Sequence, residues 1–209
     1  YPEELDSGEP GRWLSREIHY FEETDSTNRV AFDLARDGAA AGACVIAEHQ
    51  TAGRGRLGRS FFSPAYRNLY TSIVLRPEIT ISEAPTLILT AAIGVAEAVA
   101  ASLGEPARVE IKWPNDVLID GLKTSGILME MNAEATRVGF IILGIGVNLN
   151  VDRDEFPAEF RASATSLAAA SGRRVDRISF TRALYGILED VFDRHAQDGV
   201  ASLRGRFDR

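Results

Sequence analysis

The chain reads as an α+β domain, a mixed and mostly antiparallel sheet flanked by helices, and three observations lead there. Strand-like and helix-like stretches are interspersed at the start, four β-rich stretches crowd between Arg108 and Asn148, and the last third is helical in pattern. A regular βαβ repeat would space its strands evenly between helices, so a strand cluster covered by helices is the better fit.

Taken in order, Glu17 to Glu23 alternates apolar and polar residues, as a half-buried strand does. Asp25, Ser26, Thr27 and Asn28 follow, short polar side chains suited to capping a helix. Val30, Leu34 and small alanines carry that helix to about Asp37, and Gly38 is placed to end it. Ala43 to Glu48 is a short apolar strand, and Asn68 to Leu75 is the next, closed by Pro77. Ser82 to Leu103 is the clearest helix: Ser82 is a cap candidate, Gly104 stands just past the end, and nearly unbroken apolarity marks it as buried. Strands are expected at Arg108 to Lys112, Val117 to Asp120, Lys123 to Asn132 and Arg137 to Asn148, with Asp120-Gly121 as a tight-turn signal. Helices are expected from Ala164 to Ala170 and from Ile178 to Ala196, before a short tail to Arg209.

At 209 residues the chain can bury one substantial core without staples. Its 23 Lys and Arg against 30 Asp and Glu leave a net charge of -7, which argues against a general affinity for nucleic acid. A single cysteine, Cys44, excludes an internal disulfide framework and fits a reducing cytoplasm, the expected location. No apolar run reads as membrane-spanning, and no basic segment followed by an apolar one opens the chain.

Two short blocks stand out in this acidic protein. Gly53-Arg54-Gly55-Arg56-Leu57-Gly58-Arg59 combines glycines that let backbone N–H groups face a ligand with arginines that gather positive charge, an anion cradle. Its glycine spacing formally satisfies the dinucleotide pattern, but Ser60-Phe61-Phe62-Ser63-Pro64 follows where that motif needs a helix, and no Gly-Lys-Ser or Gly-Lys-Thr makes it a Walker loop. A solvated loop whose arginines aid solubility is an equally good reading of the block alone. Lys112-Trp113-Pro114-Asn115-Asp116 offers a cation, an aromatic plane, an amide and a carboxylate, or simply a strand end and a proline turn with Trp113 in the core. Lys123, seven residues beyond Asp116, would bring a second cation to the same hairpin, a grouping suited to phosphate chemistry with a magnesium ion. Ser26, Thr27 and Asn28 at a helix start could hold a ureido or carbonyl group as well as cap the helix, and Gln50 adds a donor and an acceptor beside the cradle. Gly144 to Asn148 either packs closely or lets a nucleotide approach the backbone. Cys44 reads as a small buried hydrophobe, and His19, His49 and His195 have neither metal nor triad spacing, so covalent catalysis has no candidate.

In combination, Asp25 to Asn28, Ala47 to Ala52 leading into the cradle, Lys112 to Asp116, Lys123 through Gly126-Ile127-Leu128, and Gly144 to Asn148 resemble the catalytic domain of the biotin protein ligases. The likeness runs in order from about Ile18 to Phe192. It implies the class II aminoacyl-tRNA synthetase-like fold of that family, with 17–209 as the catalytic domain, 1–16 as an N-terminal linker or extension, and the family's C-terminal β-barrel absent or truncated. It also implies a reaction: biotin and ATP give biotinyl-5′-adenylate and pyrophosphate, and a lysine of a biotin carboxyl carrier protein then takes the biotinyl group. Biotin would be held by Ser26, Thr27, Asn28, Gln50, Gly53, Arg54, Gly55, Arg56, Lys123 and Gly126. ATP would be held by Arg56, Arg59, Phe61, Lys112, Asn115 and Asn148. Arg56, Lys112, Lys123 and Asp116 would serve catalysis, with Asp116 on Mg2+. Phe61 stands where some members carry tryptophan beside the adenine. A homodimer is a further expected partner, while no DNA-binding domain and no membrane contact are expected. Lipoyl or octanoyl transfer on a related scaffold, and a noncatalytic fragment of a biotin-responsive regulator, are the competing implications.

Overall fold

The computed structural model describes residue 5, residues 13–203 and residue 205. The expected N-terminal extension and the end of the tail therefore lie largely outside the described residues. Strands β1 (Ile18–Thr24), β2 (Cys44–Gln50), β3 (Leu69–Leu75), β4 (Val109–Lys112), β5 (Asp116–Ile119), β6 (Leu122–Glu134) and β7 (Arg137–Val147) form one sheet in the order β1-β2-β3-β7-β6-β5-β4. Only β1 and β2 pair in parallel, joined by helix α1 (Thr27–Arg36); every other pairing is antiparallel. The mixed, mostly antiparallel sheet expected from the sequence is present.

Strand alternation divides the sheet into two faces. Val45, Val74, Phe140 and Ile142 point to one side, where Ala31 and Ala35 of α1 pack on them. Ile46, Ile73, Ile141, Leu143 and Ile145 point to the other, under α2 (Ala84–Leu103) and α4 (Arg177–Asp198). Gly94 lets those two helices approach, since a Cβ there would lie 2.8 Å from Leu188 Cδ2. By length and composition α2 could cross a membrane, contrary to the reading that no apolar run does; within the fold its apolar residues serve this core.

Local signals mislead at the start of α2 and at the start of the helix expected from Ala164. Ser82 does not cap α2; Glu83 holds the segment instead, its carboxylate accepting from the Thr80 N–H at 2.9 Å and hydroxyl at 2.7 Å. The helix expected from Ala164 is limited to α3 (Leu167–Ser171), because Ser166 is its cap, accepting from the Ala169 N–H at 3.0 Å, while Gly172 in the left-handed region ends it. Long-range ties to charged residues help fix α4. Glu189 accepts from the N–H groups of Trp13 and Leu14, both at 2.8 Å, and the buried Glu48 of β2 forms a bidentate pair with Arg177 at 2.6 and 3.2 Å.

Candidate active site

Sheet register lays out the site. Ser72, Gly144 and Leu128 form one row across β3, β7 and β6, and Tyr70, Gly146, Gly126 and Asp116 form the next, two residues along on the same face. The glycines cut a trough in that face. Asn28, at the start of α1, lies over the first row, with its Oδ1 where a Gly144 Cβ would be, 2.0 Å away. Phe61 fills the second row, its ring 2.6 Å from the place of a Gly146 Cβ and edge-on to Tyr70 with ring centres 6.3 Å apart.

The end of the parallel β1–β2 pair supplies the rest of an inner cavity of about 470 Å³, open solvent included, lined by Ser26, Thr27, Asn28, Gln50, Gly126 and the Arg54 to Arg56 segment among others. Ser26 precedes α1 in extended conformation but makes no side-chain cap. Gln50 serves instead, its Oε1 accepting from the Thr27 N–H at 2.9 Å and hydroxyl at 3.1 Å. The Ser72 hydroxyl lies 2.8 Å from Thr27 Oγ1 and 2.6 Å from Asn28 Oδ1, and the Asn28 amide donates to Glu130 Oε2 at 2.8 Å. Thr27, Asn28 and Ser72 are almost wholly buried, with Gln50 and Glu130 partly exposed at the ends, so a continuous polar network lines the cavity floor.

The glycine-arginine segment folds back on itself rather than leading into an α-helix. Arg54 bridges to Ser60, Gly55 donates to the Arg59 carbonyl at 2.7 Å, and a single 3-10 turn holds Arg56 to Gly58. Leu57 takes the left-handed region, with φ 57°, at the exposed tip. Arg54 pairs with Glu130 Oε1 at 3.2 Å, and Arg56 donates to Asn115 Oδ1 at 3.0 Å. Gly53 lines neither cavity; a Cβ there would meet Ser63 Oγ at 2.8 Å and the Phe61 carbonyl at 2.9 Å.

Beyond the loop an outer cavity of about 2000 Å³, open solvent included, is lined by Arg59, Lys112, Asn115, Asp116, Lys123 and Asn148 among others. Lys112 and Asp116 are opposed in the β4–β5 pair, and the Asp120-Gly121 turn, with φ of 50° and 76°, brings β6 back so that Lys123 Nζ lies 2.7 Å from Asp116 Oδ1. That contact lacks hydrogen-bond geometry, leaving the buried Asp116 Oδ1 with no hydrogen-bond partner among the described residues. Trp113 is 63% exposed, so it is not a core residue and projects at the rim instead. Asn148 accepts from Asn68 Nδ2 at 3.2 Å and donates to the Thr165 carbonyl at 3.1 Å, which fixes its amide. Gly55, Arg56, Phe61, Asn115 and Lys123 line both cavities and form the passage between them.

The candidate residues thus converge from four parts of the chain. Sequence reasoning missed Ser72 and Glu130; the one available signal was a carboxylate amid the apolar run Ile127-Leu128-Met129. Cys44 is fully buried and its thiol is pushed up to about 12 by desolvation, which fits a packing role. Among the described residues no group of three or more His, Cys, Asp or Glu could hold a metal by itself.

Residues 20–148 match the Biotin/lipoate A/B protein ligase family. A bifunctional ligase/repressor BirA from Bacillus spizizenii is 43% identical over 191 residues, 91% of this chain and 58% of that protein. A biotin acetyl-CoA-carboxylase ligase from Paracoccus denitrificans is 40% identical over 158 residues, 75% of this chain and 65% of the relative. The solved structure of biotin protein ligase from Aquifex aeolicus in complex with biotin and ATP superposes with a TM-score of 0.80 at 29% identity, covering 92% of this chain and 77% of that one. The chain therefore spans less than two thirds of the length of these curated relatives, and over that span it belongs to the biotin/lipoate A/B protein ligase family.

Proposed function

We propose that this chain is the catalytic domain of an ATP-dependent biotin protein ligase. The observation that carries the reading is the passage between the cavities, where Arg56 and Lys123 stand together. A small acid in the inner cavity would point its carboxylate at the α-phosphate of a nucleotide in the outer one. A carboxylate oxygen attacks phosphorus, the bond to pyrophosphate breaks, and biotinyl-5′-adenylate forms. Arg56 and Lys123 offset the negative charge that builds at the reacting oxygens. Lys112 and Arg59 take the outgoing phosphates, and Asn115 and Asn148 hold the nucleoside. In the second half-reaction an acceptor lysine amine attacks the acyl carbon, AMP leaves, and the amine gives up its proton.

Asp116 Oδ1 is buried with no hydrogen-bond partner among the described residues but faces Lys123 Nζ at 2.7 Å, so it would serve as one protein oxygen for a Mg2+ carried mainly by ATP phosphates once Lys123 turns to the reacting oxygens. The ion would screen phosphate charge. In the inner cavity Gln50, Thr27, Asn28 and Ser26 offer donors and acceptors for a ureido ring, with Gly126 leaving room for the attached chain and Arg54 to Arg56 closing over it. A biotin carboxyl carrier protein in the cytoplasm is the acceptor. The test is direct: the protein, biotin, MgATP and an apo acceptor should give a streptavidin-reactive acceptor, with biotinyl-adenylate seen when acceptor is omitted. Absence of both, or a preference for lipoate over biotin in competition, would refute the reading.

A further inference from the structure

Glu130 sits outside the lining of both cavities, yet it touches the two parts of the site that must cooperate. Its Oε2 accepts from the buried amide of Asn28 at 2.8 Å, and its Oε1 pairs with Arg54 at 3.2 Å. From Asn28 the contacts continue through Ser72, Thr27 and Gln50 to Ser63 Oγ, 3.3 Å from the Gln50 amide nitrogen, and from Ser63 to the Phe61 carbonyl at 2.9 Å. The circuit is closed. It starts at Arg54, at one end of the arginine loop, crosses the inner cavity floor, and returns at Phe61, at the other end.

We propose that Glu130 is a positioning residue that couples the cavity floor to the arginine loop. This rests on the ligase reading for its consequences but on geometry alone for its existence. The two arginines thereby take different tasks. Arg54 has its charge opposed by a carboxylate and anchors the loop, whereas Arg56 contacts a neutral amide and keeps its charge for the substrate anion. Glu130 also chooses the orientation of Asn28: a carboxylate accepts only, so it must face the Asn28 nitrogen, leaving Oδ1 toward Ser72. Ser72 and Thr27 have two hydroxyl protons for three short contacts, so that orientation sets how many floor protons remain to meet a ligand.

Glu130→Gln keeps the shape and an acceptor, removes the charge opposing Arg54, and lets a side-chain amide face Asn28 either way round. Amide hydrogen exchange across residues 54–63 of the ligand-free protein should quicken by about 2- to 5-fold, the range expected for a partly exposed ion pair. Biotin KM should rise by a similar or larger factor with kcat at saturating biotin little changed, and Arg54→Ala should add little to the exchange already seen in Glu130→Gln. Unchanged exchange in Glu130→Gln, or fully additive effects of the two substitutions, would overturn the proposal. The exchange readout needs no ligand, so its failure is distinct from failure of the ligase reading, which shows as wild-type protein that makes no adenylate.

Discussion

Replacing Gly144 with alanine tests whether the polar floor depends on a missing side chain. The new methyl would stand 2.0 Å from Asn28 Oδ1 and 2.8 Å from its Cγ, separations that no rotation of a methyl relieves, so the Asn28 side chain must leave its place. Leaving breaks the bond to the Glu130 carboxylate, worth about 1.5–3 kcal/mol, and the bond from Ser72, worth about 0.5–1.5 kcal/mol. Asn28 is only 4% exposed, so water cannot readily replace those partners. The variant should lose about 2–4 kcal/mol of stability in urea denaturation, and calorimetry should show biotin affinity reduced at least tenfold. An internal control decides the cause. Once Asn28→Ala has removed the obstructing side chain, adding Gly144→Ala should cost almost nothing further. If Gly144→Ala costs as much in that background as in wild type, the floor is not arranged around Asn28 as described.

Three further outcomes are expected. Arg177→Met leaves the buried Glu48 carboxylate without its cation, with the Tyr20 hydroxyl still donating at 3.2 Å, so it should destabilise the fold by about 3–5 kcal/mol in chemical denaturation, more than any substitution of an exposed ion pair. Burial between Thr86 and Thr90 lowers the pKa of His195 below the usual 6.5, partly opposed by Glu83. The unfolded chain therefore takes up a proton first as pH falls, so stability present above about 6.5 is lost on acidification, and His195→Gln should show a flatter stability profile between pH 7.5 and 5.5. Arg56→Gly removes the cation at the passage, so rapid gel filtration should find adenylate leaving the protein faster; unchanged retention would contradict the role given to that residue.

Much of the fold was legible because its signals are local. Strand alternation, the apolar face of α2 and the Asp120-Gly121 turn each depend on neighbours in sequence, and the Lys112, Asp116 and Lys123 grouping followed from one hairpin. What escaped depends on pairings across the sheet. Ser26 looked like a helix cap because its residue type is right for one, yet Gln50, brought alongside by the parallel pairing of β1 and β2, takes the N–H of Thr27 that the first turn of α1 leaves unpaired. Ser72 and Glu130 read as ordinary strand residues until register sets Ser72 opposite Gly144 and Glu130 opposite Ile142, on the same face of the sheet. Trp113 was open to a core reading because a tryptophan in an apolar strand end is commonly buried; here it lies beyond the last sheet contact of β4.

That dependence on register bears on how the protein acquires its binding ability during folding. Thr27 and Gln50 are 23 residues apart and can meet once the β1–α1–β2 unit closes, but Asn28 and Glu130 are separated by 102 residues. Closure entropy must be met before contacts of such long range are gained, which slows their formation relative to local structure. In refolding, a helical and collapsed chain should therefore precede one that retains biotin, with competence gained only when β6 and β7 lock into register against β3.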